Sequence, residues 1–308
     1  MDFLEEIREQ KKQIIQKVLN RTDKTRTSEF NGNNRLIQIL SCEDTDSIPK
    51  ISDAGKVFEN DSEPYYLMHN GMKLVYDDNI WMADLILGLR GHFEPNQEKV
   101  FYEVLKSMPA KAVMIELGCG AAYYSNWFNK EVAEPSNYLI EPSVNGLEVA
   151  KKSCALNQMK GTFIQGYVKP IRDPRYIPNP SILPEYRDAE NIQIDAFLKK
   201  NQIEHVNILH ADIQGSEYDM LRTAIKSINS RKIDYFFIST HDQTHPKCLT
   251  FLKSHGLKIV AEHSIEEGYE IDGLIVAKQK DVPGPDYVSI SKKKVAYTRR
   301  LQEKFSKK

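Results

Sequence analysis

Residues 1 to about 20 set Phe3, Leu4, Ile7, Ile14, Ile15 and Val18 among charged positions at helical spacing, which predicts an amphipathic helix. A polar stretch from Arg21 to Asn34 follows, and the apolar run Arg35–Leu40 reads as a short strand. Tyr65–Met68 and Met72–Tyr76 flank Asn70-Gly71, and Asn-Gly between apolar runs predicts a hairpin. Residues 1–90 therefore read as a small N-terminal α+β appendage. From Glu94 the segment EPNQEKVFYEVLKSM puts Val100, Phe101, Val104, Leu105 and Met108 on one helical face, with Pro95 in the first turn.

After Ala112 the pattern becomes apolar runs separated by helical stretches, the alternation of a parallel sheet flanked by helices. Seven runs qualify as strands: AVMIEL, NYLIEP, TFIQGY, VNILHAD, DYFFIST, LKIVAEH and GLIVAK. The expected class is α/β, with the sheet domain over residues 91–280. Between the third and fourth runs, Val168–Asn191 holds Pro170, Pro174, Pro178, Pro180 and Pro184, which forbid a helix and mark a long loop of the kind used as an acceptor-selecting lid. Residues 281–308 read as a basic tail, since the final 18 residues carry eight Lys or Arg against one Glu.

Composition narrows the function classes. The chain has 308 residues, 41% hydrophobic and 28% charged, as an ordinary globular protein does. With 42 Lys+Arg against 43 Asp+Glu the net charge is -1, which argues against a surface built to grip nucleic acid. The most apolar segment, Ile80–Leu89, contains Asp84 and is far short of the roughly 20 residues of a bilayer crossing. The first residues hold three Glu and no apolar signal core, so a cytoplasmic location is expected. Cys42, Cys119, Cys154 and Cys248 lack paired spacing, so neither disulfides nor a zinc knuckle is expected. The N-terminal helix is the candidate contact of a homo-oligomer.

Candidate chemistry collects at the ends of the strands. The first ends Ile115-Glu116-Leu117-Gly118-Cys119-Gly120-Ala121 before a helix, a turn that lets a ligand approach the backbone. Tyr123 stands where a dinucleotide site has its third glycine, so a ligand without a diphosphate is expected. The second strand ends Ile140-Glu141-Pro142, which puts Glu141 at the separation at which a carboxylate reaches a ribose diol. The fourth brings His210 and Asp212, and the fifth His241 and Asp242, to what is expected to be one crevice. His241 is expected to act as base, oriented by Asp212 or Asp242, or Asp212, His241 and Asp242 hold Mg²⁺ or Mn²⁺ to acidify a hydroxyl. Glu217, in the first turn of the next helix, reads equally as a catalytic group or a helix-dipole partner. Tyr123, Tyr124, Tyr167 and Tyr176 stack on a sugar or pack.

The succession IELGCGAAYYS, YLIEPSVNGLEVAKKSCALN, IQIDAFL, ILHADIQGSEYDML and FFISTH resembles the FkbM family of S-adenosylmethionine-dependent methyltransferases, over residues 90 to 278. GHFEPNQEKVF, preceded by Trp81-Met82, resembles a subgroup of that family. The resemblance implies a Rossmann-like sheet, S-adenosylmethionine as methyl donor, and O-methylation of a hydroxyl, with a carbohydrate acceptor such as a glycan, polysaccharide or nucleotide-sugar. Alternatives are a non-sugar natural product, nucleic acid, or a donor-binding interaction module without chemistry. It places the donor on Glu116, Gly118, Gly120 and Ser125, with Glu141 on the ribose. The family commonly has Lys-x-Asp-x-Glu-Gly before a further Glu, whereas this chain has His210, Asp212, Gln214, Gly215 and Glu217.

Overall fold

The computed structural model describes residues 3–21, 27–59, 63–76, 79–169, 189–241 and 243–293. They form two compact units, one of Met1–Tyr102, His263–Asp272 and Ser289–Lys308, the other of Glu103–Glu262 and Gly273–Val288.

The first unit contains α1 (Phe3–Arg21), α2 (Thr27–Leu40), β1 (Val57–Phe58), β2 (Tyr65–Leu67), β3 (Lys73–Val75) and α3 (Ile80–Gly88). α4 (Pro95–Leu105) begins in this unit and runs into the second. Ile14 and Val18 of α1, Leu36, Ile39 and Leu40 of α2, and Leu85 and Leu89 form one apolar cluster. The expected strand Arg35–Leu40 is thus corrected to the end of a helix. Leu36, Ile39 and Leu40 stand at i, i+3 and i+4, so a helix buries all three on one side, whereas a strand would turn Ile39 and Leu40 to opposite faces. At ~1.5–3 kcal/mol for each fully buried aliphatic side chain, that difference outweighs β-propensity. The hairpin forms as expected, with Tyr65 opposite Val75 and Gly71 at φ +88° in its turn.

In the second unit the strands are β4 (Val113–Leu117), β5 (Ser136–Glu141), β6 (Thr162–Tyr167), β7 (Glu190–Asn191), β8 (Val206–Ala211), β9 (Ile233–Thr240), β10 (Lys258–His263) and β11 (Gly273–Lys278). Between them lie α5 (Tyr123–Glu131), α6 (Val144–Leu156), α7 (Ile194–Lys200), α8 (Glu217–Thr223), α9 (Ile225–Asn229) and α10 (Thr244–Ser254). The order is β10-β11-β9-β8-β4-β5-β6-β7, with β9 to β7 all parallel and β11 antiparallel to β9. This is a Rossmann-like α/β sheet. Among the described residues it has eight strands rather than the expected seven; the extra one is the two-residue edge strand β7, too short to leave a periodic signal.

Every residue of β8 is buried, so the sheet is covered on both faces, as parallel sheets require. On one face Ile115, Leu209, Phe236 and Ile275 pack with Phe197 of α7, Leu221 of α8 and Leu252 of α10. The chain builds outward from β4 through β5 and β6 on one side and from β8 through β9 on the other. The direction therefore reverses between β4 and β8, where open α/β sheets form a ligand crevice at the carboxyl ends of the strands. Among the described residues no helix is long and apolar enough to cross a membrane.

Candidate active site

Leu117 and Asp212 meet at this switch point, where Asp212 N donates to Leu117 O at 2.9 Å. Gly118 follows at φ +73°, and a Cβ there would stand 1.9 Å from the carbonyl oxygen of Asp212, so only glycine lets the two strand ends close. Gly120 has φ +46°, and a Cβ on it would meet nothing within 4 Å, so its outer side faces open space. Ala122 is left-handed as well and has no side chain to cap α5. Glu116 does that work: its Oε2 accepts from Ser125 N at 3.0 Å, in the first turn of α5, and from Ser125 Oγ. Glu116 is fully buried, and desolvation pushes its carboxyl up to about 8 against the two donors from Ser125.

Glu141 closes the loop from the neighbouring strand. Its Oε2 accepts from Gly120 N at 3.2 Å and its Oε1 from Ser143 N at 3.1 Å, ahead of α6. Burial raises its pKa, with both backbone donors opposing. Gly146 in α6 makes room for it, since a Cβ there would lie 2.9 Å from Glu141 Cγ. Pro142 O receives a hydrogen bond from Gln165 Nε2 at 3.2 Å, and Cys119 is buried beneath the loop with Ala122, Leu139, Ala150 and Cys154. Glu116, Gly118, Cys119, Gly120, Ser125, Glu141 and Pro142 thus lie on or beside one loop system.

A second cluster stands at the tips of β8 and β9. His241 follows β9, and the hydroxyl of Thr244 accepts from its backbone N–H at 3.1 Å. His241 Nδ1 lies 2.8 Å from Glu217 Oε1, which also accepts from Gly215 N at 2.9 Å. Glu217 is fully buried and its Oε2 has no hydrogen-bond partner, so its charge is balanced chiefly by a proton on His241 Nδ1. That assigns the Nδ1–H tautomer and leaves Nε2 as an acceptor. Gln214 Nε2 donates to His241 Nε2 at 2.9 Å and to Asp212 Oδ1 at 3.0 Å, and Asp212 Oδ1 stands 3.4 Å from His241 Nε2.

The structure therefore brings Asp212 and His241 together as expected, but His210 does not join them. It is buried between Tyr124, at 4.4 Å between ring centroids, and Phe237, at 6.3 Å. Burial lowers its pKa to about 3, which keeps the imidazole neutral and a poor base. The difference is geometric: His210 lies inside β8, opposite Glu116 and Phe237, whereas Asp212 lies beyond the strand end, outside its alternation. Tyr123 and Tyr124 are buried packing residues. Asp242, Tyr176 and residues 170–188 of the Pro-rich loop lie outside the described residues, as does the tail from 294.

The expected cation on Asp212, His241 and Asp242 is not supported. Both ring nitrogens of His241 are engaged, by Glu217 and Gln214, and Asp242 lies outside the described residues. Glu217 and Gln214 are the partners that sequence reasoning left unassigned. Their signal was the short Asp-x-Gln-Gly-x-Glu spacing across a turn, where Gln214 at φ +50° and Gly215 at φ +101° fold the chain back.

No curated protein matches the chain in sequence. Among solved structures, the fold is similar to TrmK from M. capricolum in complex with the cofactor product S-adenosyl-homocysteine, at 14% identity and a TM-score of 0.42, over 67% of this chain and 83% of that one. It is also similar to a putative SAM-dependent methyltransferase from Streptococcus mutans, at 10% identity and a TM-score of 0.44, over 72% of this chain and 57% of that one. Residues 110–259, which include Glu116, Gly118, Glu141, Asp212, Glu217 and His241, match the family model of the methyltransferase FkbM domain, and over these residues the chain is similar to that family.

Proposed function

We propose that the chain is an S-adenosylmethionine-dependent O-methyltransferase whose acceptor is a sugar hydroxyl in a glycan, polysaccharide or nucleotide-sugar. The family supports methyl transfer. The observation that carries the choice of oxygen is the Glu217–His241 pair, because a sugar hydroxyl is weakly acidic and must lose a proton as it attacks, and His241 Nε2 is a base held in place for that step. Net charge -1 weighs against a polyanionic nucleic acid as acceptor.

The loop after β4 fits a nucleoside. Gly120 offers an open backbone cradle, and Glu141 stands beside it with carboxylate lone pairs beyond those given to Gly120 N and Ser143 N. Glu141 would hold the ribose hydroxyls, while Glu116 and Ser125 fix the loop from below. S-adenosylmethionine, when bound, supplies the methyl group and leaves as a neutral thioether.

His241 takes the hydroxyl proton at Nε2, and Glu217 and Asp212 stabilise the imidazolium so formed. Gln214 Nε2 must give up its bond to His241 Nε2 for the acceptor to enter, keeping its bond to Asp212. A cytoplasmic location belongs to the same reading, supported by four buried cysteines, all free. The test compares glycans and nucleotide-sugars from cells with and without the gene by mass spectrometry. Loss of one methylene mass from a sugar on deletion is expected; a change confined to nucleic acid or to a non-sugar metabolite overturns the acceptor.

A further inference from the structure

The GHFEPNQE run, which leads into the first turn of α4, contributes to a second cluster of chemistry-bearing side chains, wholly within the first unit. His69 in the β2–β3 turn, His92, and Glu98 in the first turn of α4 are 2%, 0% and 0% exposed, so water does not compete for them. Each offers a ligand atom, and these atoms all lie within 4.8 Å of one another. An ion bound at about 2.0–2.2 Å places its donors roughly 3.4 Å apart in a tetrahedron, so the three donor atoms close inward on binding. We propose that His69, His92 and Glu98 form a buried structural site for a first-row divalent transition metal ion such as Zn²⁺ or Fe²⁺.

The surrounding chain positions each donor. His69 N donates to Gly91 O at 3.1 Å, and a Cβ on Gly91, at φ +85°, would stand 2.2 Å from His69 N, so this glycine lets the turn and the His92 segment touch. Glu98 Oε1 is fixed by Phe93 N at 2.7 Å and Glu94 N at 2.8 Å, leaving Oε2 toward His92 Nδ1. Burial holds both imidazoles well below the usual range, hence neutral, the form that ligates metal. Lys50 acts in the same direction on both rings and Lys11 on His92, and Lys50 directs its ammonium to the carbonyls of Thr45 and Ile48. Two neutral imidazoles and one carboxylate suit first-row divalent metals better than Mg²⁺ or Ca²⁺, which prefer oxygen. The rings stack at 4.0 Å and 17°, so loading tilts His69 out of the stack until both rings point at the ion. The ion then ties the hairpin to α4, in a site closed to substrate.

The test uses the full-length chain purified without chelator. Metal content by mass spectrometry is expected at about one first-row ion per chain. After stripping, titration with Co²⁺ is expected to give ligand-field absorption saturating at one equivalent. Glu98→Gln, which keeps an oxygen for Phe93 N and Glu94 N, is expected to lose at least about tenfold in Co²⁺ affinity while circular dichroism stays unchanged. If Glu98→Gln fails to fold, His69→Ala removes one ligand and leaves the His92–Glu98 pair intact. A purified protein without metal whose stripped form shows no ligand-field bands overturns the proposal, as do bands of unchanged strength in a folded variant.

Discussion

His241 Nδ1 lies 2.8 Å from the buried carboxylate of Glu217, and this one contact fixes both the tautomer and the direction of the imidazole. Glu217 is fully buried, so in the proposed mechanism it is a positioning residue. Glu217→Gln is expected to lower the methyl-transfer rate about 10²–10⁴-fold while leaving the affinity for S-adenosylmethionine and the KM for acceptor near normal. Initial rates of adenosylhomocysteine formation against acceptor concentration check this; an unchanged kcat would remove the pair from the mechanism.

Gly118 and Gly120 separate folding from binding. Gly118→Ala drives a Cβ into the Asp212 backbone from a left-handed φ, and is expected to cost about 2–4 kcal/mol of stability. Gly120→Ala meets open space and is expected to cost about 1–2 kcal/mol for its left-handed φ alone. Its donor affinity, read by calorimetry with adenosylhomocysteine, is nevertheless expected to drop at least about tenfold because the added methyl fills the cradle. Full affinity in Gly120→Ala would move the donor elsewhere.

Glu116 carries a pH signature. Its carboxyl ionises near 4.5 in the unfolded chain and near about 8 in the folded one, so between those values the folded state holds the extra proton. Its contribution to stability is therefore whole below about pH 4.5 and is lost as pH rises through about 8. The slope is at most about 1.4 kcal/mol per pH unit. Glu116→Gln, which cannot ionise, is expected to flatten this decline in urea unfolding midpoints between pH 5 and about 8; a parallel decline in the variant would assign the effect to other groups.

Ile39 tests the helical packing of the first unit. Ile39→Ala is expected to cost about 2–5 kcal/mol in denaturant unfolding, as a fully buried residue does. A cost below about 0.5 kcal/mol, the range of exposed positions, would contradict that packing.

The sheet was legible in the sequence because its strands are buried on both faces and stand out as apolar runs. β7 was not, since two polar residues carry no periodicity. α2 was misread because Leu36-Ile37-Gln38-Ile39-Leu40 fits either period, and only the neighbours of Ile39 and Leu40 decide. In the candidate site, the positions of Gly118, Glu141 and His241 at strand ends were legible from the order of the apolar runs. The burial of His210 away from Asp212 was not legible, because alternation does not extend past the last strand residue. Glu217 was left open because an acid in a first helical turn has two ordinary explanations, and only the fold brings His241 against it.

Transfer of label from methyl-labelled S-adenosylmethionine to a nucleotide-sugar or glycan extract, by the intact chain and by His241→Ala, addresses the central claim most directly. His241→Ala is expected to bind adenosylhomocysteine like the parent chain and to transfer about 10²–10⁴-fold more slowly. Equal transfer by the two proteins would contradict the assignment of His241 as the base.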